Sequence, residues 1–342
     1  MSRTAVVLLN LGGPDSIAAV RPFLLRLFED PAIIRLPRPL RWLVARLIVR
    51  RRLGVAQEIY GHLGGGSPIL ANTRAQAAAL EAALGPGFKV FVAMRYWHPM
   101  SEATAAEVRA WAPDRLVLLP LYPQYSTTTT ASSIAAWRKA AEGIGLRPPT
   151  DVVCCYPREE GFVAALAEPL LQALGESAPN ERPRVLFSAH GLPESIVASG
   201  DPYRWQVEET VASVRKALGR EGLDWTVCFQ SRVGKLKWLQ PETADEIRRA
   251  GREGRPLIVV PVAFVSEHSE TLVELDRDYG RLARECGVPR YRRLATVGTH
   301  PHFISGLAAL VRARLGKGLG SQSGGRICPL EFRGCACEGR AP

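Results

Sequence analysis

The chain has 342 residues, 46% of them hydrophobic, so it is long enough for about two domains and apolar enough to bury a substantial core. This composition excludes wholesale disorder, and no apolar run approaches the roughly 18 residues that a membrane-spanning helix needs. The formal net charge of +11 suits an anionic partner. We expect no nucleic-acid binding, because the sequence has no zinc-finger spacing, RNA-binding aromatic motif or recognition helix.

The first residues run directly into a strand-like segment, residues 5–9, which leaves no room for a signal peptide. We therefore expect a cytoplasmic protein. Seven cysteines in such a chain argue against a disulfide scaffold.

Short apolar runs alternate with helix-period segments along most of the chain. The strand-like runs are residues 5–9, 89–94, 116–119 and 152–155, followed by 185–187, 226–229 and 257–262. The amphipathic stretches between them include residues 101–111, 159–173 and 203–218. Continuous Val, Leu and Ile runs that alternate with helices predict parallel sheets covered on both faces.

The predicted fold class is α/β, with two similar Rossmann-like domains that are each a doubly wound parallel sheet. The N-terminal half comprises residues 1–156 and the C-terminal half residues 157–316. Residues 317–342 are predicted to form a linker and a cysteine-rich tail, because the stretch 317–325 is rich in Gly and Ser.

A basic segment, residues 31–52, interrupts the alternation. Five of its apolar residues fall on one helical face: Leu40, Leu43, Val44, Leu47 and Ile48. Arginines at positions 41, 46, 50, 51 and 52 supply charge. Such a helix can lie on an anionic membrane surface, cover an apolar ligand, or pack on the core with a solvated basic edge. The sequence leaves these alternatives open.

Polar and aromatic residues are concentrated in the loops after the predicted strands. These loops are 10–14 (NLGGP), 95–99 (RYWHP), 122–126 (YPQYS), 188–193 (SAHGLP), 230–232 (QSR) and 264–270 (FVSEHSE). Since ligands of open α/β sheets bind outside the carboxyl ends of the strands, the loops predict a cleft between the halves. His190 could accept a proton there or bind a metal, although a structural loop hydrogen bond is the commoner role for the residue type.

Three cysteines in the tail, Cys328, Cys335 and Cys337, have the spacing C-x6-C-x-C. Zinc sites usually contain C-x2–4-C pairs, so this spacing fits zinc poorly. An iron–sulfur centre generally needs four thiolates, and Cys154 or Cys155, adjacent at a strand end, can supply the fourth. The alternative is a disordered tail with free thiols.

The ordered set of loops resembles the ferrochelatase family. The motifs are 9–14 (LNLGGP), 64–68 (GGGSP), 95–99 (RYWHP), 122–126 (YPQYS), 187–193 (FSAHGLP) and 266–272 (SEHSETL), and the match runs from about residue 5 to 315. The resemblance implies two Rossmann-like halves around a porphyrin cleft. It also implies a lyase that inserts Fe²⁺ into protoporphyrin IX, with release of two protons, as the last step of haem biosynthesis. The NLGGP loop is similar to the protoporphyrin-using rather than the coproporphyrin-using branch.

The resemblance also implies roles for individual residues. His190 matches the essential histidine of the family and Glu270 its acidic partner, and both are candidate contacts for Fe²⁺, with His268 and Glu267 nearby. Whether His190 accepts a proton, holds iron or does both is left open. The candidate porphyrin-binding residues are Leu11, Tyr60, Ser67, Arg95, Tyr96, Tyr122 and Trp238, of which Ser67, Arg95 and Tyr96 are polar candidates near the propionates.

The tail is similar to that of bacterial ferrochelatases with a [2Fe–2S] cluster, which bind it through three C-terminal cysteines and one mid-chain cysteine. The resemblance implies that Cys154, Cys328, Cys335 and Cys337 are the ligands, with Cys155 as the alternative to Cys154. The animal family members have a cysteine where this chain has Thr127, so their ligand set does not apply.

The expected partners are protoporphyrin IX and ferrous iron, with peripheral contact at the inner face of an anionic membrane as one outcome for the basic segment. Two other functions are open: a chelatase for another tetrapyrrole or metal, and a non-catalytic haem-binding or iron–sulfur redox-sensing protein on the same fold. The sequence does not distinguish a monomer from a homodimer.

Overall fold

The computed structural model describes residues 2–178, 181–232, 234 and 236–337, so residues 338–342 of the predicted tail lie outside the described residues. The strands are β1 (Thr4–Asn10), β2 (Phe88–Met94), β3 (Arg115–Pro120), β4 (Thr150–Val153), β5 (Arg184–His190), β6 (Trp225–Gln230), β7 (Leu257–Pro261), β8 (Tyr291–Arg293) and β9 (Leu319–Gly320). The α-helices are α1 (Ile17–Phe28), α2 (Arg38–Gly61), α3 (Ile69–Leu84), α4 (Ser101–Trp111), α5 (Thr130–Gly143), α6 (Glu160–Gly175), α7 (Glu194–Ala198), α8 (Tyr203–Leu218), α9 (Thr243–Arg252), α10 (Tyr279–Glu285) and α11 (Pro301–Arg314). A π-helix covers Glu270–Asp278.

The strands form two parallel sheets. The first has the order β2-β1-β3-β4-β9 and the second the order β6-β5-β7-β8. Strands β1 to β4 of the first sheet are arranged in the same order as strands β5 to β8 of the second, so β1 and β5 occupy corresponding positions. This repeated arrangement confirms the predicted α/β class with two similar parallel-sheet halves.

Strand β1 illustrates why these segments form buried strands. All seven of its residues are buried, since it pairs with β2 on one side and β3 on the other. Successive side chains of a strand point to opposite faces. Accordingly, Val6 and Leu8 belong to one apolar cluster and Val7 and Leu9 to another.

The largest apolar cluster connects the two sheets through helices α6 and α11. Phe162 of α6 lies 5.9 Å from Phe303 of α11, between ring centroids. The two helices approach so closely at Gly161 that a Cβ atom there would lie only 2.2 Å from the backbone oxygen of His302. Burial of this shared core is the main source of stability that holds the halves together.

The structure differs from the prediction of a flexible linker at residues 317–325. Here β9 pairs with β4, and the amides of Gly316 and Gly318 donate to the two carboxylate oxygens of buried Asp151 at 2.9 and 2.7 Å. Both glycines have positive φ, +74° and +68°, which other residues rarely adopt. The glycines therefore fit a specific turn rather than a loose connection.

Helix α2 contains most of the predicted basic segment. Its Ala45 and Val49 are buried against the protein, whereas Leu40, Leu43 and Leu47 are 53%, 58% and 48% exposed. Three of the five residues of the predicted apolar face are thus not packed on the core, whereas Val44 and Ile48 are half-buried. Within the described part of the chain, no helix is both long enough and apolar enough to cross a bilayer.

Candidate active site

Two imidazoles flank one carboxylate at the carboxyl end of the second sheet. His190 Nε2 lies 3.6 Å from Glu270 Oε1, and His268 Nε2 lies 3.6 Å from Glu270 Oε2. The Nδ1 atoms lie near backbone oxygens, at 2.6 Å for His190 to Gly191 and 3.1 Å for His268 to Ser266. Because a carbonyl oxygen only accepts, each Nδ1 carries a proton, and Nε2 is the ring atom that faces Glu270. Nε2 carries a lone pair in the neutral ring and donates a proton toward the carboxylate in the imidazolium.

The fold positions this group from several elements. His190 is the last residue of β5, at the point where the strand order of the second sheet reverses. The Tyr203 hydroxyl donates to the His190 carbonyl at 3.0 Å, and the Gln230 side-chain amide donates to the Glu270 carbonyl at 3.1 Å. Glu270 begins the π-helix, a rare conformation that is frequent at functional sites.

Glu270 is held as a carboxylate. Burial would raise its pKa, but the charge of His190, a hydrogen bond from His268 and the charge of Arg52 lower the pKa to about 2. The phenol of Tyr60 is affected in the opposite direction, since burial raises its pKa to about 12 despite a hydrogen bond with Ser269. The site thus combines an ionised acid with a neutral phenol.

A second carboxyl group, Glu274, lies nearly one π-turn after Glu270. Burial and the charge of Glu270 raise its pKa. Its oxygens accept from the Ser231 amide at 2.8 Å, the Ser231 hydroxyl at 2.5 Å and the Tyr279 hydroxyl at 3.1 Å. Ser231 has φ of +66°, the left-handed region that non-glycine residues seldom occupy. In the sequence, Glu267, Glu270 and Glu274 are spaced i, i+3 and i+7, and this acidic stripe along one helical face is the local signal for Glu274.

Glu267, which was predicted to lie near the iron contacts, forms an ion pair. Its Oε1 accepts from Arg293 Nη1 at 2.5 Å and from the Thr296 amide at 2.9 Å. The carboxylate is therefore engaged in a structural ion pair rather than directed at the two imidazoles. Since Arg293 and Thr296 are distant in sequence, no local pattern could have indicated this pairing.

Predicted ring contacts Leu11 and Tyr60 belong to one apolar cluster, which also contains Trp97. The loop before this cluster passes close to predicted Ser67, because a Cβ atom on Gly13 would lie 2.6 Å from the Ser67 Cβ. A Cβ atom on Gly66 would likewise lie 2.7 Å from the Asp15 backbone oxygen, so the close approach of the two loops requires a glycine in each.

Arg95 and Tyr96, predicted near the propionates, both bind Asp30. Arg95 Nη2 and the Tyr96 hydroxyl each donate to Asp30 Oδ2 at 2.7 Å, and Ser132 donates to the same oxygen at 2.5 Å. Tyr96 is only 1% exposed, so it does not face a ligand; it helps to hold Asp30, the partner of Arg95, in place. Asp30 was absent from the sequence prediction because its partners are 65 or more residues away.

Tyr122 follows β3 of the first sheet, whereas Trp238 lies beside the loop after β5 of the second sheet. The Tyr122 hydroxyl is 3.5 Å from the Ser133 hydroxyl, and burial raises the pKa of the phenol. Trp238 pairs with Pro193 through an antiparallel bridge, and its ring lies 3.3 Å from the position of a Cβ on Gly191. Trp238 is therefore adjacent to the loop that follows His190.

Arg52 is a site residue that the sequence prediction treated only as surface charge. It is close enough to Glu270 to lower the pKa of that carboxyl. Arg52 precedes Tyr60 by eight residues on α2, a little over two turns. This spacing, which places both residues near one face of the helix, is the signal that could have identified it.

All five cysteines predicted as candidate cluster ligands lie in one buried patch: Cys154, Cys155, Cys328, Cys335 and Cys337. The Cys154 sulfur is 3.6 Å from that of Cys155 and 3.7 Å from that of Cys337, and no disulfide is present. Hydrogen bonds from Cys328 and Cys337 lower the pKa of Cys335 to about 3. Across the described residues, no group of three or more His, Cys, Asp or Glu side chains is arranged so that it could hold a metal ion.

Curated proteins named ferrochelatase are similar to this chain over nearly its full length. A protein from Caulobacter vibrioides is 51% identical over 343 residues, which cover 98% of each chain. One from Hyphomonas neptunium is 50% identical over 97% of this chain and 94% of its own, and one from Rickettsia bellii is 45% identical over 98% and 95%.

Two solved structures show the same fold at low identity. SirB from Bacillus subtilis with Fe³⁺ has a TM-score of 0.55 and 13% identity over 92% of this chain and 96% of its own. CbiX, described as the terminal enzyme of sirohaem biosynthesis in denitrifying bacteria, has a TM-score of 0.51 and 18% identity over 92% and 100%. The ferrochelatase family model matches residues 3–315. With this match and the full-length relatives, the chain belongs to the ferrochelatase family.

Proposed function

We propose that this chain inserts Fe²⁺ into protoporphyrin IX to form protohaem, and that His190 and Glu270 perform the proton chemistry. The observation that carries the proposal is the pair of imidazole Nε2 atoms, each 3.6 Å from one carboxylate. A carrier of haem would need an axial ligand but no opposing acid.

Metal insertion requires removal of the two inner N–H protons of the porphyrin. The His190 Nδ1 proton is engaged with Gly191, so Nε2 is the atom that accepts a pyrrole proton. The resulting imidazolium is stabilised by Glu270, whose pKa of about 2 keeps it ionised. Glu274, with its raised pKa, provides the next proton-binding group along the π-helix.

Substrate recognition follows from the apolar and basic groups around the pair. Burial of the macrocycle against Leu11, Tyr60 and Trp97 supplies binding affinity but does not fix the orientation of the porphyrin. Arg52 makes no hydrogen bond or ion pair with another described residue, which suits a guanidinium that pairs with a propionate. Imidazole nitrogen and carboxylate oxygen are suitable donors for the Fe²⁺ substrate. His190 Nε2 can hold the metal only while that nitrogen carries no proton, and Glu270 and His268 offer further donors beside it.

The direct test is anaerobic incubation of the protein with protoporphyrin IX and Fe²⁺, or Zn²⁺ as an oxygen-stable substitute, while the porphyrin absorption spectrum is recorded. The proposal predicts conversion to the metalloporphyrin spectrum at a rate proportional to protein concentration. If porphyrin binds but no metal is inserted, only the non-catalytic binding function remains. Parallel reactions with coproporphyrin report which tetrapyrrole is preferred.

We also propose that Cys154, Cys328, Cys335 and Cys337 bind a [2Fe–2S] cluster. Two sulfurs that are each about 2.3 Å from one tetrahedral metal lie roughly 3.8 Å apart, close to the 3.7 Å between Cys154 and Cys337. A two-iron centre is bound by two pairs of thiolates, so the four sulfurs do not have to converge on a single metal ion. The burial of all four thiols in one patch supports this donor set.

Iron and sulfide analysis of protein purified without oxygen tests the cluster proposal. We expect about two irons per chain and a reddish-brown colour. Colourless protein from an iron-replete, anaerobic preparation would contradict it.

We further propose that the protein is cytoplasmic and contacts an anionic membrane peripherally, and helix α2 supports the membrane contact. Leu40, Leu43 and Leu47 are about half exposed and stand beside arginines, a composition suited to the interface of a bilayer. Co-sedimentation with liposomes should require anionic lipid and weaken with salt. Leu43→Ser should reduce binding, whereas equal binding to neutral and anionic liposomes would contradict the electrostatic part.

A further inference from the structure

A buried guanidinium, Arg326, lies in the C-terminal tail without a carboxylate partner among the described residues. The residue is only 6% exposed. Its Nε donates to the Cys328 carbonyl at 2.9 Å, and its Nη2 donates to the carbonyls of Pro329 and Phe332 at 2.7 and 3.0 Å. These acceptors are neutral. A buried charge is costly unless an opposite charge compensates it, so an anion beside this guanidinium would stabilise the tail.

The cysteine patch adjoins Arg326, because Ile327 and Cys328 belong to it and the charge of Arg326 acts on Cys335. Arg326 precedes Cys328 by two residues, and its bonds to three carbonyls fold residues 328–332 around the guanidinium. Cys328 and Cys335, which flank this loop, are both buried. The tail is in turn fixed to the body, since the Gly334 amide donates to the Gly200 carbonyl at 2.9 Å.

The charge of a four-thiolate [2Fe–2S] centre suits this cation. Counting its thiolates, such a centre carries about two negative charges when oxidised and about three after it gains one electron. A nearby buried cation stabilises the reduced form more than the oxidised form, because the attraction grows with the negative charge. The net charge around a cluster is one of the factors that set its reduction potential.

We propose that Arg326 is the counter-charge of the iron–sulfur cluster and holds its reduction potential above the value that the thiolates alone would give. The inference rests on the proposed cluster. It assigns to Arg326 a positioning and electrostatic role, since the guanidinium fixes the ligand loop through carbonyl oxygens and provides the charge.

The test compares Arg326→Gln, Arg326→Lys and the control Arg333→Gln in full-length, anaerobically purified protein. Arg333 is in the same tail but exposed, so its charge is screened by solvent. Iron and sulfide are measured first. Each protein is then titrated with dithionite, which supplies the one electron, while the reduced centre is followed by absorption and electron paramagnetic resonance.

We expect Arg326→Gln to lower the ratio of reduced to oxidised centre at the wild-type midpoint about tenfold, which equals 59 mV for one electron. Arg326→Lys should stay within about threefold of wild type, as should Arg333→Gln. An unchanged midpoint in Arg326→Gln would overturn the proposal. If Arg326→Gln loses the cluster, retention by Arg326→Lys supports the charge role, and loss from both variants overturns it.

Wild-type protein without iron would refute the cluster proposal itself, a result distinct from any difference among the variants.

Discussion

Replacement of Glu270 by glutamine tests the electrostatic part of the mechanism. The substitution keeps the size of the side chain and one acceptor oxygen but removes the negative charge 3.6 Å from His190 Nε2. At an effective dielectric constant of about 20, two unit charges at 3.6 Å attract by roughly 5 kcal/mol. The His190 side chain is 35% exposed, so solvent screens part of this attraction. We therefore expect kcat to fall about 10²- to 10³-fold.

The assay is anaerobic metallation of protoporphyrin IX, with porphyrin affinity measured separately by fluorescence quenching. Binding should change little, because the apolar cleft is intact. Glu267→Gln is the matched control, since this nearby carboxylate pairs with Arg293 instead of an imidazole. A Glu270→Gln enzyme within about threefold of wild-type kcat would refute the reasoning. Because the pKa of Glu270 is depressed to about 2, the wild-type carboxylate stays charged from neutral pH down to about pH 3, and no activity loss in that range should come from it.

Three further predictions concern separate parts of the molecule. His190→Ala should lower kcat about 10²- to 10⁴-fold while porphyrin still binds, and near-normal turnover would remove the imidazole from the mechanism. Cys154→Ala should lose the iron found by analysis of the wild type, whereas Cys155→Ala should keep it; the reverse pattern would exchange the two ligands. Gly161→Ala should destabilise the protein by about 1–3 kcal/mol in urea unfolding, because its Cβ would lie 2.2 Å from a backbone oxygen of α11. Gly143→Ala, with no neighbour within 4 Å, is the control and should be neutral or slightly stabilising.

The sequence predicted the elements that depend on local pattern. Strands such as β1 and β7 are continuous apolar runs because both faces are covered. Strand β8 escaped prediction because Tyr291–Arg293 contains two arginines, and β9 because Leu319–Gly320 lies in a glycine-rich stretch. Their pairing is determined by the neighbouring strand rather than by their own composition.

In the candidate site, too, local motifs identify some residues, whereas other contacts depend on the assembled fold. The motifs brought out His190 and Glu270, which the structure shows 3.6 Å apart. The ion pair of Glu267 and the burial of Tyr96 against Asp30 depend on residues distant in sequence, so pattern alone could not reveal them. The exposure of one face of α2 is likewise a property of the assembled fold.

The central claim, that one imidazole and one carboxylate act together on the inner ring of a porphyrin, is tested most directly by a crystal structure of the protein with a free-base porphyrin. We expect His190 Nε2 within hydrogen-bonding reach of a pyrrole nitrogen, directly or through one water, with Glu270 beside it. A porphyrin seated with its ring centre away from both side chains would contradict the account.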